Sequence, residues 1–156
     1  MRLRSMLIAV LLVAGATQAP ACTVPANAPA LRAEAQAGLS AERARAGLAG
    51  WARSDRLESA AQGHACALAR RGQISHRGIL GTGLRTRLWR AGYRAALAGE
   101  NLAAGLESAA AVVAAWMGSP GHRDNILSPG MQEVGLGVAR GGDGMLYWVM
   151  IAARPG

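Results

Sequence analysis

Lysine is absent from this chain: all 17 basic side chains are arginine, set against 9 acidic ones. The arginines are scattered, with no dense run, and aromatic residues make up only 4% of the chain. Nucleic-acid recognition draws on a basic face interleaved with aromatics, so no specific nucleic-acid partner is indicated. The formal charge of +8 fits a mild attraction to an anionic envelope. Arginine-only, alanine-rich usage is equally what a biased base composition produces. Long apolar runs are also missing: none is long enough to cross a bilayer, and one of the short ones, Met6 to Ala14, is preceded by Arg2 and Arg4 and followed by small residues. That run is too short to span a bilayer and has the layout of a secretory signal over residues 1–21. Cleavage after Ala19 or after Ala21 fits the small-x-small rule, and Ala21 is preferred because Pro20 would directly follow the earlier bond. The mature chain is expected to hold no transmembrane segment.

Cysteine is scarce, with only Cys22 and Cys66. In an exported chain such a pair predicts one disulfide. The alternatives are two separate thiols, or an acylated Cys22 with Cys66 simply buried, although Ala-Pro-Ala before Cys22 is a poor lipidation context. Neither H-E-x-x-H nor G-x-S-x-G occurs, which removes the two-histidine zinc helix and the nucleophile elbow from consideration. No internal repeat or long linker is evident, and the chain beyond the signal is of a length for one domain. Its expected destination is export, to the periplasm or beyond the cell.

The residues that are present organise as helices first and a hairpin last. After an extended TVPANAPA, composition favours a helix from Leu31 to Leu48, with a break near Gly38–Ser40. Asp55 and Glu58 have the form of a capping box, and Leu57, Ala60, Ala61, His64 and Leu68 recur at helical spacing up to Arg71–Gly72. A loop, QISHRGILGTG, leads to a short helix from Leu84 to Ala91. GENLAAG, flanked by glycine, reads as irregular. Ser108 opens another helix that reaches Gly118. Ser119-Pro120 then forms a cap and first turn, placing His122 at the start of a short helix that Ser128-Pro129-Gly130 ends. Glu133–Ala139 and Met145–Ile151 read as strands joined by the tight turn RGGDG. MLYWVMI is apolar without alternation, the mark of a central strand covered on both faces. The fold class predicted is α+β, with helices flanking a sheet.

Residues able to do chemistry are few: His64, His76, His122 and Glu100, the last beside Asn101. A carboxylate next to an imidazole can supply an acid/base pair or metal ligands. Their wide separation in sequence gives a metal no support by spacing. His64 lies on an apolar stripe and reads as a core histidine with a satisfied hydrogen bond. Ser75, Ser119 and Ser128 are ordinary loop or cap residues, while Asn101, Arg123 and Asn125 read as side chains that hold irregular backbone together.

The segments HACALARRGQISHRG, GENLAAG, WMGSPGHRDNIL and EVGLGVARGGDGMLYWVMIA, in that order, resemble the bacterial branch of the CAP superfamily (cysteine-rich secretory, antigen 5 and pathogenesis-related 1 proteins), also called SCP-like domains. The resemblance runs over residues 39–153, leaving 22–38 as a lead-in. It implies a three-layer α-β-α sandwich and a cavity lined by His76, Glu100 and His122. A fourth cavity position, usually glutamate, is Ser119 here, and an N-x-x-R pattern maps onto Ser40 and Arg43 without its asparagine. The resemblance also implies a binding or interaction module, with lipid, a small ligand or an envelope component as partner. A divalent metal such as zinc would sit on His76 and His122. Alternatives are a metal-assisted or acid/base hydrolase of protease-like type, in which a histidine takes a proton from water while Glu100 orients it, and a purely structural envelope protein. The missing fourth residue and the lack of an evident nucleophile weigh against catalysis. No oligomeric interface is legible.

Overall fold

The computed structural model describes residues 22–156, so the predicted signal over residues 1–21 lies outside the described residues. Helix α1 spans Ala28–Arg45 and α2 spans Asp55–Arg71, separated by a two-residue strand β1, Ala52–Arg53. A single 3₁₀ turn at Ile79–Gly81 precedes α3, Leu84–Arg90, and the strand β2, Ala95–Ala104. Helices α4, Ala109–Gly118, and α5, Pro120–Leu127, lead to the hairpin strands β3, Glu133–Arg140, and β4, Leu146–Pro155.

Four strands form one sheet in the order β1-β3-β4-β2, with β1 parallel to β3 and the other pairings antiparallel. Strand β4 is therefore central, as its unbroken apolar run predicts. Successive side chains of a strand point to opposite faces, and that period divides the core. Trp148, Met150 and Ala152 pack with Leu39, Val112 and Trp116 from α1 and α4. Tyr147, Val149 and Ile151 pack with Leu57, Ala61 and Leu68 of α2. The result is the three-layer α-β-α sandwich.

On the α2 side the layers approach closely because of glycine. A Cβ on Gly135 would lie 2.1 Å from the Glu58 nitrogen, and one on Gly137 would lie 2.4 Å from the Ala61 carbonyl carbon. The helix backbone thus rests directly on β3. Gln62 of α2 completes the contact, donating to the Val138 carbonyl at 2.9 Å and accepting from the Val138 N–H at 3.1 Å. A disulfide joins Cys22 to Cys66 across a sequence separation of 44. Closing a loop of that length is worth about 4 kcal/mol on chain-entropy grounds.

Several local expectations are corrected. GENLAAG is not irregular: it is the C-terminal part of β2, paired with Val149–Ile151 and neighbouring positions of β4. Its glycines hid the strand, yet Gly99 is there because Asn125 Oδ1 stands 2.5 Å from where a Cβ would be. Helix α1 begins at Ala28, with Pro29 in its first turn, and runs without a break through Gly38–Ser40. Gly38 lies close against Val113 of α4, so it serves helix packing. The capping box at Asp55 does not form. Ser54 is the N-cap and makes no side-chain cap bond, while Glu58 pairs with Arg53 and Arg32. Ser119 likewise caps α5 by position only, with no side-chain bond.

Candidate functional site

Glu100 lies on β2 in the same phase as Leu102, facing the α2–α3 side of the sheet, and is buried. Its carboxylate is divided between two partners. Oε2 accepts from His76 Nδ1 at 3.0 Å, and Oε1 accepts from the Arg87 guanidinium of α3. His64 of α2 stands behind them, its Nε2 3.9 Å from Oε2. That nitrogen also lies 3.0 Å from the Ser75 carbonyl. A carbonyl can only accept, so Nε2 carries the proton, and Nδ1 keeps its lone pair with no partner.

The loop carrying His76 is held by arginines at both ends. Arg71 donates to the carbonyls of Arg77 and Gly78 at 3.0 and 3.4 Å. Arg87 donates to the His76 carbonyl at 3.5 Å as well as to Glu100. Thus Arg87 fixes the backbone of one site residue and the carboxylate of another. From the opposite phase of β2, Asn101 is wholly buried and donates to the His122 carbonyl at 2.9 Å, while its Oδ1 accepts from Asn125 at 2.8 Å. Asn125 donates in turn to the Glu100 carbonyl at 3.3 Å. The two asparagines set α5, and with it His122, against the strand that carries Glu100.

These side chains border an open pocket of about 550 Å³ lined by His76, Gly83, Leu84, Ala98, Glu100 and Asn125, among others. The His76 side chain is 65% exposed and that of Glu100 only 3%, so the imidazole is what a ligand meets first. Burial pushes the Glu100 carboxyl above its usual range, and the Arg87 and His76 charges pull it back. Burial and the Arg87 charge depress His64 to about 4, which makes it a neutral imidazole at neutral pH. Burial, then the neighbouring His76, lowers His122.

The structure therefore brings His76 and Glu100 into contact and sets His122 on the adjoining helix. It adds His64, which is a hydrogen-bonded core histidine and also a wall of the carboxylate site. Arg123 is exposed on α5; the arginines that tie loops are Arg71 and Arg87 around His76, and Arg43, which donates to the Ala49 and Ser128 carbonyls. Arg87 was not anticipated, although it lies on the inward stripe of α3 with Leu84 and Leu88, and a charged residue on an apolar stripe is itself a signal. The fit to a divalent metal is partial. One Glu100 oxygen is occupied by a guanidinium and the His64 Nε2 proton by a carbonyl, leaving the imidazoles of His76 and His122 as donors. Two imidazoles are half of a tetrahedral set. Among the described residues, no three His, Cys, Asp or Glu side chains are placed to share an ion.

Comparison with known proteins gives a consistent result. The family model described as the CAP, cysteine-rich secretory protein family matches residues 37–152. An outer surface protein of Borrelia burgdorferi superposes with a TM-score of 0.72 at 24% identity, covering 78% of this chain and 90% of that one, a likeness of fold alone. An extracellular SCP-domain protein of Bacillus anthracis superposes at 0.71 with 27% identity, covering 81% of this chain and 41% of that one. An uncharacterized protein of Bacillus subtilis, YkwD, is 49% identical over 45 residues, which is 29% of this chain and 18% of that protein.

Proposed function

The chain belongs to the cysteine-rich secretory protein (CAP) family, and from that membership and the site we propose that it is an exported binding module whose pocket receives a small ligand or a polar group of a partner at His76. The observation that carries this reading is the asymmetry of the His76–Glu100 pair. The carboxylate is buried and spoken for by Arg87, while the imidazole it orients is largely in solvent. A carboxylate bonded to Nδ1 fixes the ring's tautomer and aims Nε2 outward, which suits recognition of a ligand donor or acceptor. Export is supported by the predicted signal, by the disulfide, and by relatives named as outer surface and extracellular proteins. Lipid, small ligand and envelope component are the partner classes this reading admits.

The same pair favours a second reading, an acid/base hydrolase in which His76 takes a proton from water. Glu100 would hold the ring and stabilise the imidazolium that forms. The pocket lining contains no serine, threonine or cysteine, so water would be the nucleophile. A metal held by His76 and His122 would be the alternative to that step: it would supply the Lewis acid that activates the water, because His76 Nε2 cannot both bind a metal and take the proton. Calorimetric titration of the metal-stripped protein with zinc at pH 7.5, wild type against a His76→Ala/His122→Ala double variant, tests the metal. Saturable one-to-one binding abolished in the double variant supports it, and no binding by the folded wild type removes it. A screen of small ligands by thermal shift, repeated on His76→Ala, tests the binding reading. Hits that survive the substitution unchanged would overturn the role given to His76.

A further inference from the structure

A second concavity, of about 490 Å³, lies between α3 and the N-terminal half of β2. Its floor and walls are apolar: Leu84, Leu88 and Trp89 from the helix side, Tyr93, and Ala96 and Ala98 from the strand. Its charged lining residues are Arg85 and Arg94. Trp89 is 67% exposed, the most exposed indole among the described residues.

The strand wall has a property that an ordinary apolar groove lacks. Strand β2 is the edge of the sheet, and the Glu100 and Leu102 carbonyls point away from β4, toward Asn125 and Trp116. The two-residue phase of an antiparallel strand turns the N–H and C=O of Ala98 the same way. Among the described residues nothing bonds to them. Edge strands are ordinarily guarded by lysine, proline or a covering segment, and Ala95–Ala98 has none of these while Leu97 is exposed. An alkyl chain would fill the groove but leave those backbone groups unpaired. An extended peptide would pair with them and bury alternate side chains against α3.

Charge selects the kind of peptide. Neither Arg85 nor Arg94 has an acidic partner among the described residues. We propose that the groove between β2 and α3 binds an extended acidic peptide segment of a partner protein. The segment adds as a strand to the β2 edge, with its apolar residues beside Trp89 and Leu88 and its carboxylates at Arg85 and Arg94. At roughly 3.4 Å per residue, the exposed edge takes about four residues. The groove shares Leu84 and Ala98 with the His76–Glu100 pocket, so the bound strand points toward it. The proposal does not depend on what that pocket holds.

Selection of a displayed library of random twelve-residue peptides on the disulfide-bonded protein tests this. The expected result is a set of sequences alternating acidic and apolar residues. Their affinity should fall at least about tenfold in Arg85→Glu/Arg94→Glu and be unchanged in Arg123→Glu, a single charge reversal on the exposed face of α5. N-methylation of alternate amides in a selected peptide should abolish binding in one phase and spare it in the other, a readout that only strand pairing produces. Failure to select acidic sequences would overturn the proposal, as would binders indifferent to the arginine reversal or to N-methylation in both phases. Co-sedimentation with phosphatidylglycerol vesicles, lost on the same reversal and with no peptide selected, would assign the groove to a membrane surface instead. A dimer in sedimentation that Trp89→Ala dissolves would assign it to a second copy of the chain.

Discussion

Among the described residues two charged side chains are buried, one on each side of the sheet, and their surroundings differ in kind. Arg43, on the α1 side, is 2% exposed. It donates to the carbonyls of Ala49, Ile126, Ser128 and Met131 at 2.8 to 3.5 Å, with Trp51 4.6 Å from its guanidinium. Every partner is backbone or ring. Glu100, on the α2 side, has only side-chain partners, and one of them, His76, stands in solvent. A charge satisfied by main-chain carbonyls serves as a clamp between α1, α5 and the turn before β3. A charge satisfied by side chains at a pocket mouth can exchange partners, which is what recognition requires.

Substitutions that separate the clamp from the mouth sharpen this contrast. Arg43→Met strands the buried Ile126 and Met131 carbonyls and should cost about 3 kcal/mol, read as a shifted urea midpoint. Preserved stability would mean the carbonyls find water and the clamp is dispensable. Asn101→Ala removes two of the three side-chain hydrogen bonds that link β2 to α5 and should cost about 2 kcal/mol. Because it frees His122 and Asn125, it should also move the amide and ring NMR signals of α5 more than those of α2.

The next effect is a pH dependence. His64 is depressed from 6.5 to about 4 in the folded protein, so below 6.5 the unfolded chain binds the proton that the folded one refuses. Stability from this group is complete above pH 6.5 and is lost as pH falls toward 4, about 1 kcal/mol over the unit from pH 6 to pH 5. Arg87, Arg71 and His76 all face it with positive charge, which reinforces the refusal. Glu100, raised by burial, works in the opposite sense in both proteins compared. The measurement is therefore the difference between wild type and His64→Leu across that window. A constant difference would contradict a buried neutral His64. His76→Ala should have the smallest effect on folding, within about 0.5 kcal/mol, because the ring is mostly in solvent. A large loss would make the cluster a scaffold and remove the contrast with Arg43.

The central strand, helix α2 and the hairpin were legible because their patterns are local: unbroken apolar runs, helical spacing, a glycine-rich turn. Strand β2 was not. Its GEN segment has glycine where a strand normally has a side chain, and the reason is a neighbour, Asn125, 26 positions away in the chain. The site was legible only through the family pattern, which named His76, Glu100 and His122 separately. Arg87 and His64 were missing from that set because each lies on an apolar stripe, where sequence reads burial and cannot show what the buried group meets.

Composition and periodicity by themselves determined the two-sided core, the order of elements and the availability of one cysteine pair, since burial of apolar area depends on which residues recur and how often. Only the tertiary structure decided which polar groups share a carboxylate, which arginine is a clamp and which a partner, and which edge of the sheet stays open. Those outcomes turn on hydrogen bonds of about 3 Å between residues distant in the chain, and no local pattern encodes such a distance.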